Sequence, residues 1–125
     1  MILDTNAISA WWNGEETLRP VLESATALEL PVPALAEFRF GILKSRFKDR
    51  MLPWLVGVQA GNRILGIDLE TTRHYADIRL ELQNAGTPIP LNDLWIAAIA
   101  RQHKEPILSR DTHFDQVFGI VRIGW

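Results

Sequence analysis

Met1-Ile2-Leu3-Asp4-Thr5-Asn6 is the stretch on which the fold turns. Three apolar residues run into a carboxylate, and two residues that commonly open helices follow at once. The pattern predicts a short buried strand, an acid at its C-terminal end, and then a helix. Open parallel α/β sheets bind ligands outside the carboxyl ends of their strands, so Asp4 stands where chemistry is usually done. Far along the chain, Pro106-Ile107-Leu108-Ser109-Arg110-Asp111-Thr112 repeats the construction of apolar strand, acid and threonine. The repeat is a first sign of a metal site.

Working outward, Gly14 closes a first helix over 5–13, and a second carries Leu18, Val21, Leu22, Ala25 and Leu28 on one face, with Pro20 in its first turn. A very short strand is expected at Leu30–Val32, and a helix from Ala34 to about Arg46. Asp49 is the expected N-cap of a helix over Arg50–Ala60, ended by Gly61 and Asn62. Arg63–Ile67 reads as a strand, and Glu70–Ala85 as a helix burying Tyr75, Ile78, Leu82 and Ala85. After a loop at 86–91, Asn92 starts a helix to about His103. Strand 106–109, a short turn-helix and strand Val121–Ile123 complete the chain. Strands alternating with helices give βαβ units, hence one α/β domain with a mostly parallel sheet covered on both faces.

Composition bounds the rest. A chain of 125 residues is one domain, large enough to bury roughly two thirds of the surface its unfolded form exposes. No apolar run approaches the roughly 20 residues that cross a bilayer, and a strand starting at Met1 leaves no room for a targeting peptide. With no cysteine there is no disulfide, thiolate metal site or cysteine nucleophile. Cytoplasmic residence is the expectation. A net charge of −2 argues against gripping nucleic acid by bulk electrostatics alone. Even so, Arg39, Lys44, Arg46, Lys48 and Arg50 supply five of 13 basic residues within twelve positions. They form either a solvated helix end complementing the macrodipole or a ridge that contacts phosphate.

Four acids then stand out, at positions where solvent-facing acids are not expected. Asp4 and Asp111 end buried strands. Glu37 lies in Ala34-Leu35-Ala36-Glu37-Phe38-Arg39-Phe40-Gly41, where its i−3 and i+4 neighbours, Ala34 and Gly41, are small and allow close approach. Asp93 opens Asn92-Asp93-Leu94-Trp95-Ile96-Ala97-Ala98 and shares a face with the inward positions Ile96, Ala97 and Ala100. Singly, each has a structural role open to it: Asp4 and Asp111 as helix N-caps, Asp93 as an acid favoured at a helix start, Glu37 as a partly exposed helix acid. Jointly they are costly, since two carboxylates 4 Å apart repel by about 4 kcal/mol at an effective dielectric near 20. A cation relieves that cost, and an all-oxygen set favours Mg²⁺ or Mn²⁺.

In these motifs, Leu3-Asp4-Thr5-Asn6, Ala36-Glu37-Phe38-Arg39-Phe40-Gly41, Asn92-Asp93-Leu94-Trp95 and Ser109-Arg110-Asp111-Thr112-His113-Phe114, the chain resembles PIN-domain proteins of the VapC type along its whole length. Those are the toxin halves of toxin–antitoxin pairs. The resemblance implies a five-stranded parallel sheet of order 3-2-1-4-5 flanked by helices, with the strands bearing Asp4 and Asp111 adjacent. It implies Mg²⁺- or Mn²⁺-dependent endoribonuclease activity, an RNA substrate, a cognate antitoxin and a homodimer. It makes Asp4, Glu37, Asp93 and Asp111 the catalytic and metal-binding set, supported by Asn6 and Ser109. Apart from the resemblance, Arg39 in the basic run is a candidate substrate contact, and Arg110 either touches substrate phosphate or screens the acids.

The implied order also separates the site from its decoys. Asp68 follows an apolar strand too, but ends strand 3, two strands from strand 1 and hence roughly 10 Å away; it reads as a helix cap. Asp115 reads as surface, and His113 as structural. Adjacent Trp11 and Trp12 cannot share a helix face, so one is expected to point outward and mark an interface; Trp95 is expected in the core. Two other enzyme classes lack their motifs: a phosphotransferase with nucleophilic Asp4 would want a second Asp where Asn6 stands, and a dinucleotide enzyme would want G-x-G-x-x-G after the first strand. A non-catalytic RNA- or protein-binding module is the remaining alternative.

Overall fold

The computed structural model describes residues 1–125. In chain order it contains β1 (Ile2–Leu3), α1 (Thr5–Trp12), α2 (Arg19–Ser24), β2 (Glu29–Pro31), α3 (Val32–Leu43), α4 (Lys48–Gly61), β3 (Arg63–Leu65), α5 (Leu69–Ala85), α6 (Leu91–His103), β4 (Ile107–Leu108), a 3₁₀ turn (Thr112–Gln116) and β5 (Arg122–Ile123). The five strands are parallel in the order β3-β2-β1-β4-β5. β1 is therefore central, and the order reverses beside it, between the strands that carry Asp4 and Asp111. Ile2, Leu3, Leu30, Ile107 and Leu108 are wholly buried, as expected of strands covered on both faces. Leu3 is in register with Leu108, and the Asp4 amide donates to the Leu108 carbonyl at 3.1 Å. Both strands thus end at one level, which aligns their following acids. No helix is long and apolar enough to cross a membrane.

Several element boundaries differ from the pattern-based expectation. α2 ends at Ser24 because Ala25 is extended (ψ 136°), leaving Ala25 and Leu28 outside it; the chain must straighten there to enter β2. β2 ends at Pro31, and Val32 opens α3 with Pro33 in its first turn, where a missing N–H costs nothing. Asp49 does not cap α4: Phe47 precedes the helix without a side-chain cap, and Asp49 lies within the first turn, where its charge still favours the dipole. β3 stops at Leu65, leaving Ile67 exposed. In α5, Ile78 and Leu82 are buried but Ala85 is exposed.

The tryptophans are also placed differently. Neither Trp11 nor Trp12 is exposed. Both pack edge-on against Trp54 of α4, at 5.7 and 5.5 Å between ring centroids. Two adjacent side chains reach one partner because a bulky indole spans the angle between them. Trp95 is half-buried and stacks on Tyr75 at 4.1 Å.

Candidate functional site

Asp4 is 4 % exposed and does two jobs at the end of β1. Its Oδ1 accepts the Thr5 amide at 2.7 Å, capping α1. Its Oδ2 accepts the Ser109 hydroxyl at 2.6 Å and the Asn6 side-chain amide at 3.1 Å. The same Asn6 amide reaches Ser109 Oγ at 3.1 Å, and Asn6 Oδ1 accepts the Arg110 amide at 3.2 Å. Ser109 Oγ accepts the Asp111 amide at 2.9 Å. Asn6 and Ser109 therefore stitch the ends of β1 and β4 together and fix the Asp4 carboxylate. Two donors fill Oδ2, whereas Oδ1 keeps a lone pair for another group.

Asp93, in the first turn of α6, is 8 % exposed, and Asp111 is half-buried. The Asp111 carboxylate caps the 3₁₀ turn by accepting the His113 amide at 2.9 Å. That turn brings His113 Nδ1 to 3.1 Å from Asp93 Oδ2 and 3.0 Å from Asp111 Oδ1. One ligand atom from each of Asp93, Asp111 and His113 lies within 4.8 Å of the others. The expectation that all four acids avoid solvent fails at Glu37. It is exposed on α3, where its carboxylate accepts the Thr5 hydroxyl at 2.8 Å. A helix that packs one face inward still turns this position towards the cleft mouth. Asp4, Glu37, Asp93 and Asp111 line one open cleft of about 480 Å³.

The decoys lie elsewhere. Asp68 caps α5 in a reciprocal capping box with Thr71 and accepts Gln102 at 3.0 Å. Asp115 is exposed and pairs with Arg122 at 2.8 Å. Of the two basic candidates, Arg110 lies in the cleft wall, paired with Glu15 and stacked over Trp125 at 4.4 Å. Arg39 donates to Gln59 at 2.9 Å and is not part of that wall. In the basic run, Lys44 covers the Phe40 ring at 4.4 Å, and Arg46 and Arg50 each approach the Phe47 ring at 4.9 Å. Motif and spacing do not single out Thr5 or Glu15, nor the place of His113 beside two acids. The one local signal for His113 is its position two residues after a turn-opening Asp, which lets the acid cap its amide.

The electrostatics follow from burial first. Burial raises the proton affinity of Asp4, and the charges of Asp111 and Glu37 add to it, against hydrogen bonds from Ser109 and Thr5. Burial likewise pushes Asp93 up to about 6, opposed by the His113 hydrogen bond and assisted by Asp4 and Asp111. His113 is raised by its hydrogen bond to Asp93 and by the nearby Asp111 charge. All three groups bind protons more tightly folded than unfolded. Each one's contribution to stability is full below its unfolded pKa and is lost as pH rises through its folded pKa. For Asp93 that window runs from 3.8 to about 6; for His113 it begins near 6.5 and extends upward. Metal-free protein is therefore expected to melt at progressively lower temperature as pH rises from about 4 through about 6, and to go on losing stability above 6.5 as His113 gives up its proton. Asp93→Asn should flatten that slope. A melting temperature that instead rises across the interval would show that the cluster does not repel itself.

The donor set suits a hard cation: buried and half-buried carboxylates converge, and Asp4 Oδ1 and the carboxylates of Asp93 and Asp111 retain lone pairs. A family model described as PIN domain matches residues 1–119. The chain is 34% identical over 128 residues to the VapC ribonuclease Y4jK of Sinorhizobium fredii, covering 90% of this chain and 87% of that protein. A crystal structure of DNA-bound VapBC from Salmonella typhimurium superposes with a TM-score of 0.89 at 27% identity, covering 99% of this chain and 96% of that one. VapBC-5 of Mycobacterium tuberculosis, a member of the VapBC family of toxin–antitoxin systems, gives 0.70 at 27% identity, covering 98% and 97%.

Proposed function

The chain belongs to the PIN-domain family, and on that premise we propose that it is an endoribonuclease, the toxin half of a toxin–antitoxin pair, which hydrolyses RNA phosphodiesters with the help of Mg²⁺ or Mn²⁺. The observation that carries this reading is the convergence of Asp4, Glu37, Asp93 and Asp111 on one cleft at the carboxyl ends of β1 and β4. The ribonuclease and toxin–antitoxin relatives support it.

Asp4, Asp93 and Asp111 would hold the ion, with Glu37 close by at the mouth. When bound, the ion lowers the pKa of water and offsets the charge of the phosphodiester. Ser109 and Asn6 hold the Asp4 carboxylate through Oδ2, so that Oδ1, which accepts only the Thr5 amide, keeps a lone pair for the ion. Glu37, oriented by the Thr5 hydroxyl and exposed, is placed to accept a proton from an attacking water. Arg110 pairs with Glu15 through its two terminal nitrogens and keeps further N–H donors for a substrate phosphate, while the Glu15 carboxylate offsets part of its charge and so tunes how strongly the cleft attracts a polyanion. Products bearing 5′-phosphate and 3′-hydroxyl ends are expected.

Purified protein incubated with total RNA should cut it in millimolar Mn²⁺ or Mg²⁺ and leave it intact in chelator. Expression alone should arrest growth, and co-expression of a small partner protein should relieve the arrest. An intact, metal-binding protein that cleaves no RNA and arrests no growth would replace this reading with that of a binding module.

A further inference from the structure

His113 brings nitrogen to a site otherwise made of oxygen. Its backbone is fixed twice: the amide is capped by Asp111 at 2.9 Å, and the next residue, Phe114, is wholly buried. Its ring is about half exposed, beside the Asp93 and Asp111 carboxylates that line the cleft. The ring nitrogen Nδ1 meets Asp93 Oδ2 at 3.1 Å and Asp111 Oδ1 at 3.0 Å. Those separations match coordination geometry. Ligand atoms about 2.1 Å from an octahedral ion sit about 3.0 Å from their neighbours in the shell. Nδ1 therefore already stands from each carboxylate oxygen at the spacing of neighbouring ligands, and the three ligand atoms lie within 4.8 Å of one another.

We propose that His113 is a nitrogen ligand of the ion held by Asp93 and Asp111, and that it biases the centre from Mg²⁺ towards Mn²⁺ and later first-row ions. The proposal rests on the metal-dependent reading above. Mg²⁺ favours oxygen and keeps much of its water, whereas imidazole is a good ligand for the transition metals. The competing arrangement is a protonated ring that stands in for the cation and leaves when metal arrives. That alternative predicts no metal–nitrogen bond and metal binding at least as tight without the imidazole.

The test is pulsed EPR of bound Mn²⁺ in protein made with ¹⁴N- or ¹⁵N-histidine, alongside Mn²⁺ and Mg²⁺ binding isotherms of wild type, His113→Gln and Asp93→Asn. Wild type should show the coupling of a directly bound imidazole nitrogen, altered by the ¹⁵N label. His113→Gln should lose it, with the Mn²⁺ dissociation constant raised about tenfold or more and that of Mg²⁺ changed by less than about threefold. Mn²⁺ bound by wild type and weakened by Asp93→Asn, but without nitrogen coupling, would overturn the His113 assignment and leave the metal reading standing. So would His113→Gln binding Mn²⁺ as tightly as wild type. Wild type that binds no Mn²⁺, or Asp93→Asn that binds it equally, would remove the metal reading itself. The labelling arm uses unmodified protein, so a misfolded variant does not spare the proposal.

Discussion

Asp93→Asn is expected to lower RNA cleavage by about a hundredfold or more while the chain stays folded. The substitution removes one full charge from the cleft and hardly alters volume. Because burial already pushes the Asp93 carboxyl up to about 6, its loss also relieves repulsion in the metal-free state, so the variant should melt no lower than wild type at neutral pH. Lost activity together with retained or raised stability separates a functional acid from a structural one. Asp4→Asn should be as inactive but less benign. Asn is a good N-cap, yet the Asp4 carboxylate accepts Thr5 on one oxygen and Ser109 and Asn6 on the other. An amide in either orientation turns donor against donor there. Asp68→Asn and Asp115→Asn, on acids outside the cleft, should hold cleavage within about threefold, the range of local context effects. RNA cleavage and thermal melts on the four variants decide it. A loss in Asp68→Asn equal to that in Asp93→Asn would defeat the assignment by strand order.

Phe114→Ala is expected to destabilise the protein by about 3–5 kcal/mol, in the usual range for removing a buried phenyl ring. Phe114 is 0 % exposed and, with Val117, is how the five-residue 3₁₀ turn holds to the core. A turn so short has little hydrogen bonding of its own to fall back on. For a domain of this size, the change lowers the melting temperature by on the order of 10 °C or more. It should also loosen Asp111 and His113, which closely precede the ring in sequence, so metal affinity should fall even at temperatures where the variant is folded. Phe114→Leu keeps most of the apolar volume and should lose much less. Denaturant melts with and without Mn²⁺ measure both effects. A Phe114→Ala loss below about 1 kcal/mol would mean that the turn is anchored elsewhere.

The legible and illegible parts of the sequence divide along physical lines. Strand ends are legible because a carboxylate directly after a run of apolar residues marks where a buried strand meets solvent or a ligand. Asp4 and Asp111 accordingly stand at adjacent strand ends. Asp68 is legible as a cap because capping is a local affair between Asp68 and Thr71. What escapes the sequence depends on tertiary packing. Nothing near Ala25 in sequence announces that the chain must straighten to pair Glu29 beside Ile2. Nothing near Trp11 and Trp12 announces Trp54, some forty residues on. The apolar neighbours of Glu37 suggest burial, but its exposure is set by where α3 lies against the cleft. His113 has no partner motif around it in sequence. Its partners are Asp93 on another helix and Asp111 two residues before it.

The cluster of Trp54 with Trp11 and Trp12 has an optical consequence. Three indoles, the outer two with centroids under 6 Å from the central ring and crossed to it at 84° and 68°, share excited states rather than absorbing singly. The folded chain should therefore give an exciton couplet in its circular dichroism, and Trp54→Phe should abolish it. Since α1 begins at the Asp4 cap and ends in Trp11 and Trp12, that spectrum reads the tilt of the helix whose first turn lines the cleft. The protein carries a built-in, label-free signal for anything that pulls on Asp4.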